Sequence, residues 1–394
     1  MKANISFLAD EKKAIFSLAS IYGLRMLGLF LIMPVVAIDL KASEGFENSI
    51  FAGLVIGAYG LTQAVFQIPF GIASDYFGRK PVIIFGLCIF AFGSFWAAYA
   101  STSTELLIAR LVQGLGAISA AVTALVADVT REVVRTRAMA IIGLSIACSF
   151  IFSLVFSPIL YGVFGLDGLF FLIGSLAILA SFLVSRIKVP TKEIKLIHMD
   201  FKKTPVRQFN KQLTILVAGV FFLMFVQSAI FMIVPSLIVL HGFELSEHWK
   251  VYFPVILFAF ICMIYPIKKS EETTRQKKSF LLSILFLIVA VALIKVSTAS
   301  FLLLIISLFL YFLGFNLLEA FLPSWVSKLV PGKKKGFFLG VYNTSQALGI
   351  FTGGILGGYL YGKYGIHGII LACLLPLCLW LFISFKLKEL SASE

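Results

Sequence analysis

The second and third apolar segments of the chain are joined by GIASDYFGRK, residues 71–80. Gly71 and Gly78 permit a tight reversal and a close approach of two helices. Asp75 can face the positive N-terminal end of another helix, and Arg79 offers a forked donor to a carboxylate. An ordinary basic turn needs neither the aspartate nor glycines at these positions. The stretch therefore indicates a specialised turn between two membrane-spanning helices.

The hydropathy of the whole chain extends this interpretation to twelve spans. The 394 residues are 60% hydrophobic and 13% charged, more apolar surface than a soluble domain could cover. A spanning helix needs about 20 apolar residues, and the runs are continuous, which favours helices over a barrel. The predicted spans, numbered 1 to 12, are 14–39, 49–74, 80–100, 104–128, 138–164, 168–187, 213–240, 249–267, 279–297, 300–327, 336–362 and 366–386.

The basic residues predict the orientation of these spans. With the N-terminus placed in the cytoplasm, 27 of the 33 Lys and Arg residues fall on the cytoplasmic side. Cytoplasmic loops retain positive charge, so both termini are predicted to be cytoplasmic, in a bacterial inner membrane. The net charge of +14 is interleaved with spans rather than grouped on a soluble domain, which argues against a nucleic-acid partner. The lipid bilayer is the expected partner instead.

The longest polar stretch, from Arg186 to Lys211, divides the chain into two halves. It carries eight basic residues, and a cytoplasmic loop that binds anionic lipid is compatible with it. The predicted domains are residues 1–187, a linker at 188–212, and residues 213–394.

The two halves contain an internal repeat. The tripeptide at 160–162, followed by Gly165 and Gly168, recurs 200 residues later at 360–362, Gly365 and Gly368. The matching direction is parallel, as in transporters whose halves are related by an axis along the membrane normal. The predicted fold is therefore an all-α membrane protein of two pseudo-twofold-related six-helix bundles.

No catalytic, metal or nucleotide site is indicated. The five cysteines lie inside predicted helices and form neither a disulfide framework nor a metal-ligand spacing. The four histidines are scattered over predicted loops, and phosphate-loop and nucleophile-elbow motifs are absent. The sequence predicts a protein without a cofactor or metal that is not an enzyme.

Two stretches carry a family resemblance. Residues 71–80 resemble motif A of the major facilitator superfamily, and residues 110–116 resemble its motif B through Arg110, Gln113, Gly114 and Gly116. From residue 25 to residue 131, and again at 315–320 and 340–346, the chain is similar to the YajR-type drug/proton antiporter group. The resemblance implies two six-helix bundles around a central cavity, working as a monomer.

The resemblance also implies a role for motif A, whose candidate residues include Lys80. Asp75 is expected to interact with the N-terminal end of span 11 near Gly336, and Arg79 with Asp128 at the end of span 4. These contacts would latch the halves together on the cytoplasmic side and favour an outward-open state. The antiporter signature of span 5 is altered, since Ser157 and Tyr161 stand where two glycines are expected.

Three charged side chains lie deep in the spans, namely Arg25, Arg110 and Glu319. Intramembrane charges are costly and are functional candidates by default. Glu319 is the leading proton-binding candidate, because burial disfavours the ionised carboxylate. Arg110 is a second candidate and Asp39, at the outer edge of span 1, a weaker third. The alternatives are a structural pair for Glu319, a packing anchor for Arg110 and a solvated helix end for Asp39.

Polar side chains recur on helix faces that should point into the bundle. As cavity-lining residues they could bind substrate, and the alternative is hydrogen bonding between helices. The candidates for substrate binding are Arg25, Tyr59, Gln63, Gln67, Gln227, Asn316, Glu319, Asn343 and Gln346.

These observations predict a proton-coupled secondary active transporter that exports lipophilic or drug-like small molecules by alternating access. A proton-linked importer of a sugar, peptide, siderophore or organic acid stays open, because motif A does not distinguish direction. A non-transporting membrane receptor or scaffold is the second alternative, although little chain outside the bilayer could carry a signal.

Overall fold

The computed structural model describes residues 7–39, 45–187, 211–272, 276–330 and 335–387. Within these ranges the chain forms α-helices and two short 3-10 turns, Leu245–Glu247 and Ser297–Ala299, without a strand. The helices are α1 Ala9–Asp39, α2 Gly45–Tyr76, α3 Arg79–Ala98, α4 Ser103–Leu115, α5 Ser119–Val129, α6 Glu132–Arg186, α7 Lys211–Ile230, α8 Val234–Leu240, α9 Trp249–Glu272, α10 Gln276–Ile294, α11 Phe301–Leu329 and α12 Lys335–Ser384.

Ten segments of these helices are long and apolar enough to cross a bilayer. Two of them, Ile141–Arg186 and Phe338–Ser384, contain 46 and 47 residues. At about 1.5 Å per residue, each is more than twice as long as a hydrocarbon core of roughly 30 Å. Each is interrupted once by a glycine with positive φ, Gly165 (φ 67°) or Gly365 (φ 60°). Each segment therefore crosses twice, which makes the twelve predicted spans.

Two predicted spans are broken rather than continuous. Span 4 is divided between α4 and α5 at residues 116–118, where a Cβ on Gly116 would lie 2.3 Å from the carbonyl oxygen of Gly86. Span 7 is divided between α7 and α8, and Pro235 stands in the first turn of α8, where its missing N–H costs nothing. Hydropathy alone does not reveal either break.

The first half is held together by three serines of span 5, which we name the serine ladder. Their spacing of four places them on one face of α6, which packs along α1. Each hydroxyl donates a hydrogen bond to a carbonyl of α1: Ser149 to Gly23 at 2.8 Å, Ser153 to Leu27 at 3.1 Å, and Ser157 to Leu31.

The second half repeats this packing with glycines. The positions 200 residues after the serine ladder are Gly349, Gly353 and Gly357, and they face α7. A Cβ on Gly353 would lie 2.3 Å from the carbonyl oxygen of Phe225. Because span 5 packs on span 1 as span 11 packs on span 7, the predicted internal repeat and the two-bundle fold are confirmed.

A second set of glycines joins the two halves. Gly53, Gly57 and Gly60 of α2 lie against the backbone of α12, and a Cβ on Gly53 would approach the carbonyl oxygen of Gly354 to 2.2 Å. The small residues let the backbones touch, as is typical of helix pairs in membranes. The predicted domain boundaries at 187 and 213 stay predictions, because residues 188–210 lie outside the described part of the chain.

Candidate transport site

Arg25 lies in the middle of α1 with its side chain 1% exposed. Its guanidinium donates to the hydroxyl of Ser119 at 2.9 Å, to the hydroxyl of Tyr59 at 3.0 Å and to the carbonyl of Gly116 at 3.2 Å. Its Nε has no hydrogen-bond partner. The non-helical step at Gly116 is what offers this carbonyl to the arginine, so the break in span 4 has a structural use.

Arg110 of α4 is equally buried. Its Nε donates to the carbonyl of Val55 at 3.2 Å, and its Nη1 donates to Oε1 of Gln113. Gln113 in turn donates to the hydroxyl of Ser94 at 2.7 Å. The Arg110 guanidinium also lies 5.2 Å from the centre of the Tyr59 ring, within reach of a cation–π interaction.

Tyr59 therefore connects the two buried arginines, and we name Arg25, Tyr59, Arg110 and Gln113 the arginine network. Among the described residues, neither arginine forms an ion pair with a carboxylate. All of its hydrogen bonds stay within the first half. This geometry favours the packing-anchor interpretation of Arg110 over a direct role in proton movement.

Motif B supplies glycines that bring span 4 against its neighbours. A Cβ on Gly114 would lie 2.1 Å from Oγ1 of Thr62 and 2.4 Å from the carbonyl oxygen of Tyr59. This close approach holds α4 against α2 and places Arg110 and Tyr59 in contact.

Glu319 of α11 is in a different setting. Its Oε1 is buried and has no hydrogen-bond partner. The carboxylate interacts electrostatically with Tyr22 of α1, Tyr311 of α11 and Tyr342 of α12. The hydroxyls of Tyr311 and Tyr342 are also buried without a partner. We name these four residues the tyrosine–glutamate cluster, and it spans both halves.

An aromatic cluster lies beside it, also across the two halves. Phe150 of span 5 contacts Phe30 of α1 at 5.0 Å between ring centres and Phe315 of α11 at 5.4 Å. Phe315 in turn stacks on Tyr311 at 6.0 Å, which joins the aromatic cluster to the tyrosine–glutamate cluster. A solute that passes between the halves at this level must displace these rings.

The other predicted polar residues fall into two groups. The side chains of Gln67 and Gln227 are buried, and their amide oxygens and nitrogens have no hydrogen-bond partner. Nδ2 of Asn316 is also buried without a hydrogen-bond partner. Gln63 is buried. Asn343 is half-buried, and Gln346 reaches only the sulfur of Met224 at 3.8 Å. The unpartnered amides lie on α2, α7 and α11, so both halves contribute groups that a solute could engage.

Motif A forms a compact charge cluster at the helix ends on the side that is rich in Lys and Arg, which is the predicted cytoplasmic side. Arg79 contacts Asp75 at 2.5 Å and Asp128 at 3.2 Å, and it donates to the hydroxyl of Ser74 at 2.6 Å. We name Asp75, Arg79 and Asp128 the motif A cluster. Helix α5, which carries Asp128 near its end, also contacts α12 of the other half.

The motif A glycines differ in what they do. Gly78 has φ 89°, a conformation that favours glycine, and caps α3. The expected close approach at Gly71 is wrong, because a Cβ there would meet only Ala120 at 3.4 Å, an ordinary contact.

Lys80 donates to the carbonyls of Ser185 and Ile187. The side chain of Asp39 and the surroundings of Gly336 lie outside the described part of the structure.

Sequence reasoning missed two features. Glu11 accepts hydrogen bonds from Nε and Nη2 of Arg131 at 2.9 and 3.0 Å, tying α1 to the connection between spans 4 and 5. An acidic residue in the first turn of a span was the available signal. The second feature is His248, which lies in a turn as predicted and is fully buried beside Tyr252. No three potential metal ligands cluster among the described residues.

Twelve spans in two repeated halves are the architecture of a membrane transporter. The family model of the Major Facilitator Superfamily matches residues 15–269 and 273–393. The chain therefore belongs to the major facilitator superfamily.

Relatives of known sequence agree with this assignment. The inner membrane transport protein YajR of Escherichia coli K12 is 38% identical over 385 residues, which cover 96% of this chain and 84% of the relative. The quinolone resistance protein NorA of Staphylococcus aureus MRSA252 is 26% identical over 374 residues, 89% of this chain and 90% of the relative.

Solved structures agree on the fold. A bacterial homolog of the human lysosomal transporter Spinster, in an inward-facing and occupied conformation, superposes with a TM-score of 0.75 at 14% identity, covering 96% of this chain and 97% of that one. The human organic anion transporter MFSD10 gives a TM-score of 0.71 at 18% identity, covering 95% and 99%.

Proposed function

We propose that this transporter couples the export of lipophilic small molecules to proton entry, as a monomer in the bacterial inner membrane with both termini in the cytoplasm. The observation that carries the proposal is the buried, unpartnered carboxyl oxygen of Glu319 between the two halves. An unpaired carboxylate in an apolar surrounding is costly, so the side chain holds a proton while enclosed and exchanges it only when water reaches it.

Alternating access supplies the coupling. When the halves separate on the outer side, Glu319 takes up a proton. When they separate on the cytoplasmic side, Glu319 releases the proton, and the affinity of the transporter for its solute changes. The hydroxyls of Tyr311 and Tyr342 can donate hydrogen bonds to the ionised carboxylate. Because neither hydroxyl has a partner in this structure, the side chains must first move to make these bonds. The arginine network stays within one half and serves as a fixed framework.

The direction and the solute class rest on two supports. The aromatic cluster beside Glu319 offers apolar and π-rich contact area to a lipophilic solute. The similar proteins include one named for quinolone resistance and one named Multidrug resistance protein 2, of Bacillus subtilis, at 27% identity. Unpartnered amides of Gln227 and Asn316 provide hydrogen bonds that fix a solute's orientation.

Everted membrane vesicles test the proposal with a panel of fluorescent lipophilic dyes. In an antiporter, dye entry moves protons out of the lumen, so a lumenal pH indicator reports alkalinisation. Glu319→Gln should abolish the proton movement while dye binding is retained, and Glu319→Asp should keep part of it. Glu247→Gln, an exposed carboxylate paired with Lys250, is the matched control and should behave as wild type. Retained coupling in Glu319→Gln would eliminate the assignment.

The alternative is a proton-linked importer of a polar nutrient. The observation that favours it is Ser157, which occupies a glycine position of the antiporter signature and bonds the carbonyl of Leu31. The same vesicles separate the two directions of coupling. A symporter acidifies the lumen when its solute enters, so the sign of the pH change decides between them.

A further inference from the structure

Two cations, Lys80 and Arg186, stand at the end of the first half where α3 begins and α6 ends. Nζ of Lys80 donates to the carbonyls of Ser185 and Ile187 at 2.9 and 2.8 Å. Between these residues, the exposed guanidinium of Arg186 lies 4.6 Å from the centre of the Phe182 ring. Among the described residues, neither cation has a carboxylate partner.

The second half carries the same arrangement at the equivalent positions. Nζ of Lys277 donates to the carbonyl of Phe385 at 2.7 Å, and Lys386 lies 5.8 Å from the centre of the Phe382 ring. The acceptor and the stacked pair stand 200 residues after their counterparts in the first half. The arrangement recurs although Phe385 replaces the counterpart Ser185 and Lys386 the counterpart Arg186, so it is a property of both bundles.

An apolar groove begins at Lys80. Its volume is about 700 Å³, and it opens toward the bilayer beside span 3, where the Phe85 side chain is 62% exposed. The groove is lined by Lys80, Pro81, Ile84, Phe85, Cys88 and Ser185. One end is cationic and the remainder is apolar, which matches a molecule with an anionic head and a hydrocarbon chain.

A lysine that caps the end of a helix is common, because it compensates the negative end of the helix dipole. Capping explains Lys80 and Lys277. It does not explain Arg186, whose side chain makes no hydrogen bond among the described residues, or the groove that Lys80 and Ser185 line.

We propose that Lys80 and Arg186 bind the phosphate of an anionic phospholipid whose acyl chain lies in the groove along span 3. Lys277 and Lys386 form a second, related headgroup site. Anionic lipid is concentrated on the inner leaflet, where basic side chains near the surface each contribute about 1 kcal/mol of attraction. The site is distinct from the proposed transport path, since it faces the bilayer rather than the other half.

Native mass spectrometry of the purified full chain tests this site. Phosphatidylglycerol and phosphatidylcholine with identical acyl chains are compared at equal concentration. Wild type should retain phosphatidylglycerol preferentially, and Arg186→Gln should weaken that binding about fivefold, the factor that corresponds to one surface cation. Lys80→Gln with Arg186→Gln should remove one lipid, and adding Lys277→Gln and Lys386→Gln should remove a second.

A labelling experiment locates the bound lipid. Cys88 lines the groove, whereas Cys378 is exposed outside it. Phosphatidylglycerol, but not phosphatidylcholine, should slow alkylation of Cys88 by a membrane-permeant maleimide and leave Cys378 unchanged. Because the Arg186 side chain contributes no hydrogen bond among the described residues, Arg186→Gln remains informative even if Lys80→Gln misfolds.

Three outcomes would overturn the proposal. One is equal binding of the two lipids to wild type. Another is undiminished phosphatidylglycerol binding in Arg186→Gln. The third is an equal loss in Lys363→Gln, an exposed cation predicted on the opposite side, because that result would show a general charge effect. None of these measurements depends on transport, so they fail or succeed independently of the proposed function.

Discussion

At the level of single residues, the two buried arginines are held by neutral groups instead of carboxylates. Arg25 uses a serine, a tyrosine and a backbone carbonyl, and Arg110 uses a glutamine and a backbone carbonyl. Apart from Nε of Arg25, which has no partner, such bonds satisfy the donors without adding an acid that could exchange protons. Tyr59 contributes twice, through its hydroxyl and through its ring.

The two contributions of Tyr59 can be separated. Tyr59→Phe removes the hydrogen bond to Arg25 but keeps the ring beside Arg110, and it should lower the free energy of unfolding by about 1 kcal/mol. Tyr59→Leu removes both and should cost a further ~0.5–2 kcal/mol. Thermal unfolding in detergent measures the difference. Equal effects of the two variants would show that the ring contact with Arg110 contributes nothing.

A second residue-scale prediction concerns the motif B glycine. Gly114→Ala places a methyl group 2.4 Å from the carbonyl oxygen of Tyr59, and overpacking of this kind costs about 1–3 kcal/mol. Gly143→Ala is the control, since no atom lies within 4 Å of its added Cβ. Melting temperatures should fall for the first variant and hold or rise for the second. Unchanged melting of Gly114→Ala would contradict the described contact between α4 and α2.

At the level of elements, equivalent helix pairs in the two halves are joined by different chemistry. The serine ladder bonds α6 to α1 three times, whereas α12 makes one such bond to α7, from Ser345 to the carbonyl of Val217, and otherwise contacts α7 through glycines. A serine hydroxyl needs room for Cβ and Oγ, so the span 5 interface is slightly wider. The glycine interface leaves no such room.

Exchanging equivalent residues tests this difference. Ser153→Gly loses one interhelical hydrogen bond and some helix propensity, about 1–2 kcal/mol together. Gly353→Ser forces a Cβ to 2.3 Å from the carbonyl oxygen of Phe225, where the contact is with backbone that cannot turn aside. Fluorescence-detected size-exclusion after heating should show a larger loss of folded protein for Gly353→Ser. The reverse order would refute the asymmetry.

At the level of the whole molecule, the motif A cluster ties together two helices of the first half that each also contact α12 of the second half. Arg79 holds Asp75 of α2 and Asp128 of α5 together, and α5 contacts α12. If this cluster stabilises the conformation that is closed on the cytoplasmic side, its loss should increase the population of the conformation that is open on that side.

Arg79→Gln is therefore expected to lengthen distances across the basic side. Spin labels replacing the exposed Lys13 and Lys328, in a background with the native cysteines changed to alanine, report that distance by pulsed electron resonance. Lys250→Gln breaks an exposed pair elsewhere and should leave the distribution unchanged. An identical distribution in wild type and Arg79→Gln would dismiss the latch.

Much of this architecture could be predicted from the sequence, because hydropathy and repeated glycines are local signals. The twelve spans, and the turns at Gly165 and Gly365, follow from run lengths and from the repeat. The breaks at Gly116 and before Pro235 could not be predicted, since they depend on contacts with other helices. The partners of Arg25 lie as far as 94 positions away along the chain, and no local pattern reveals them.

The difference between the serine ladder and its glycine counterpart bears on motion. A hydrogen bond fixes the position of one helix along the axis of another. A contact between glycines and backbone restricts only the distance between the two helices. Span 1 is pinned to span 5 by three such hydrogen bonds, whereas span 7 is held to span 11 by one, from the Ser345 hydroxyl to the carbonyl of Val217 at 2.7 Å. In a rocking cycle we expect internal compliance to reside in the carboxyl-terminal bundle, with the amino-terminal bundle turning as a rigid body.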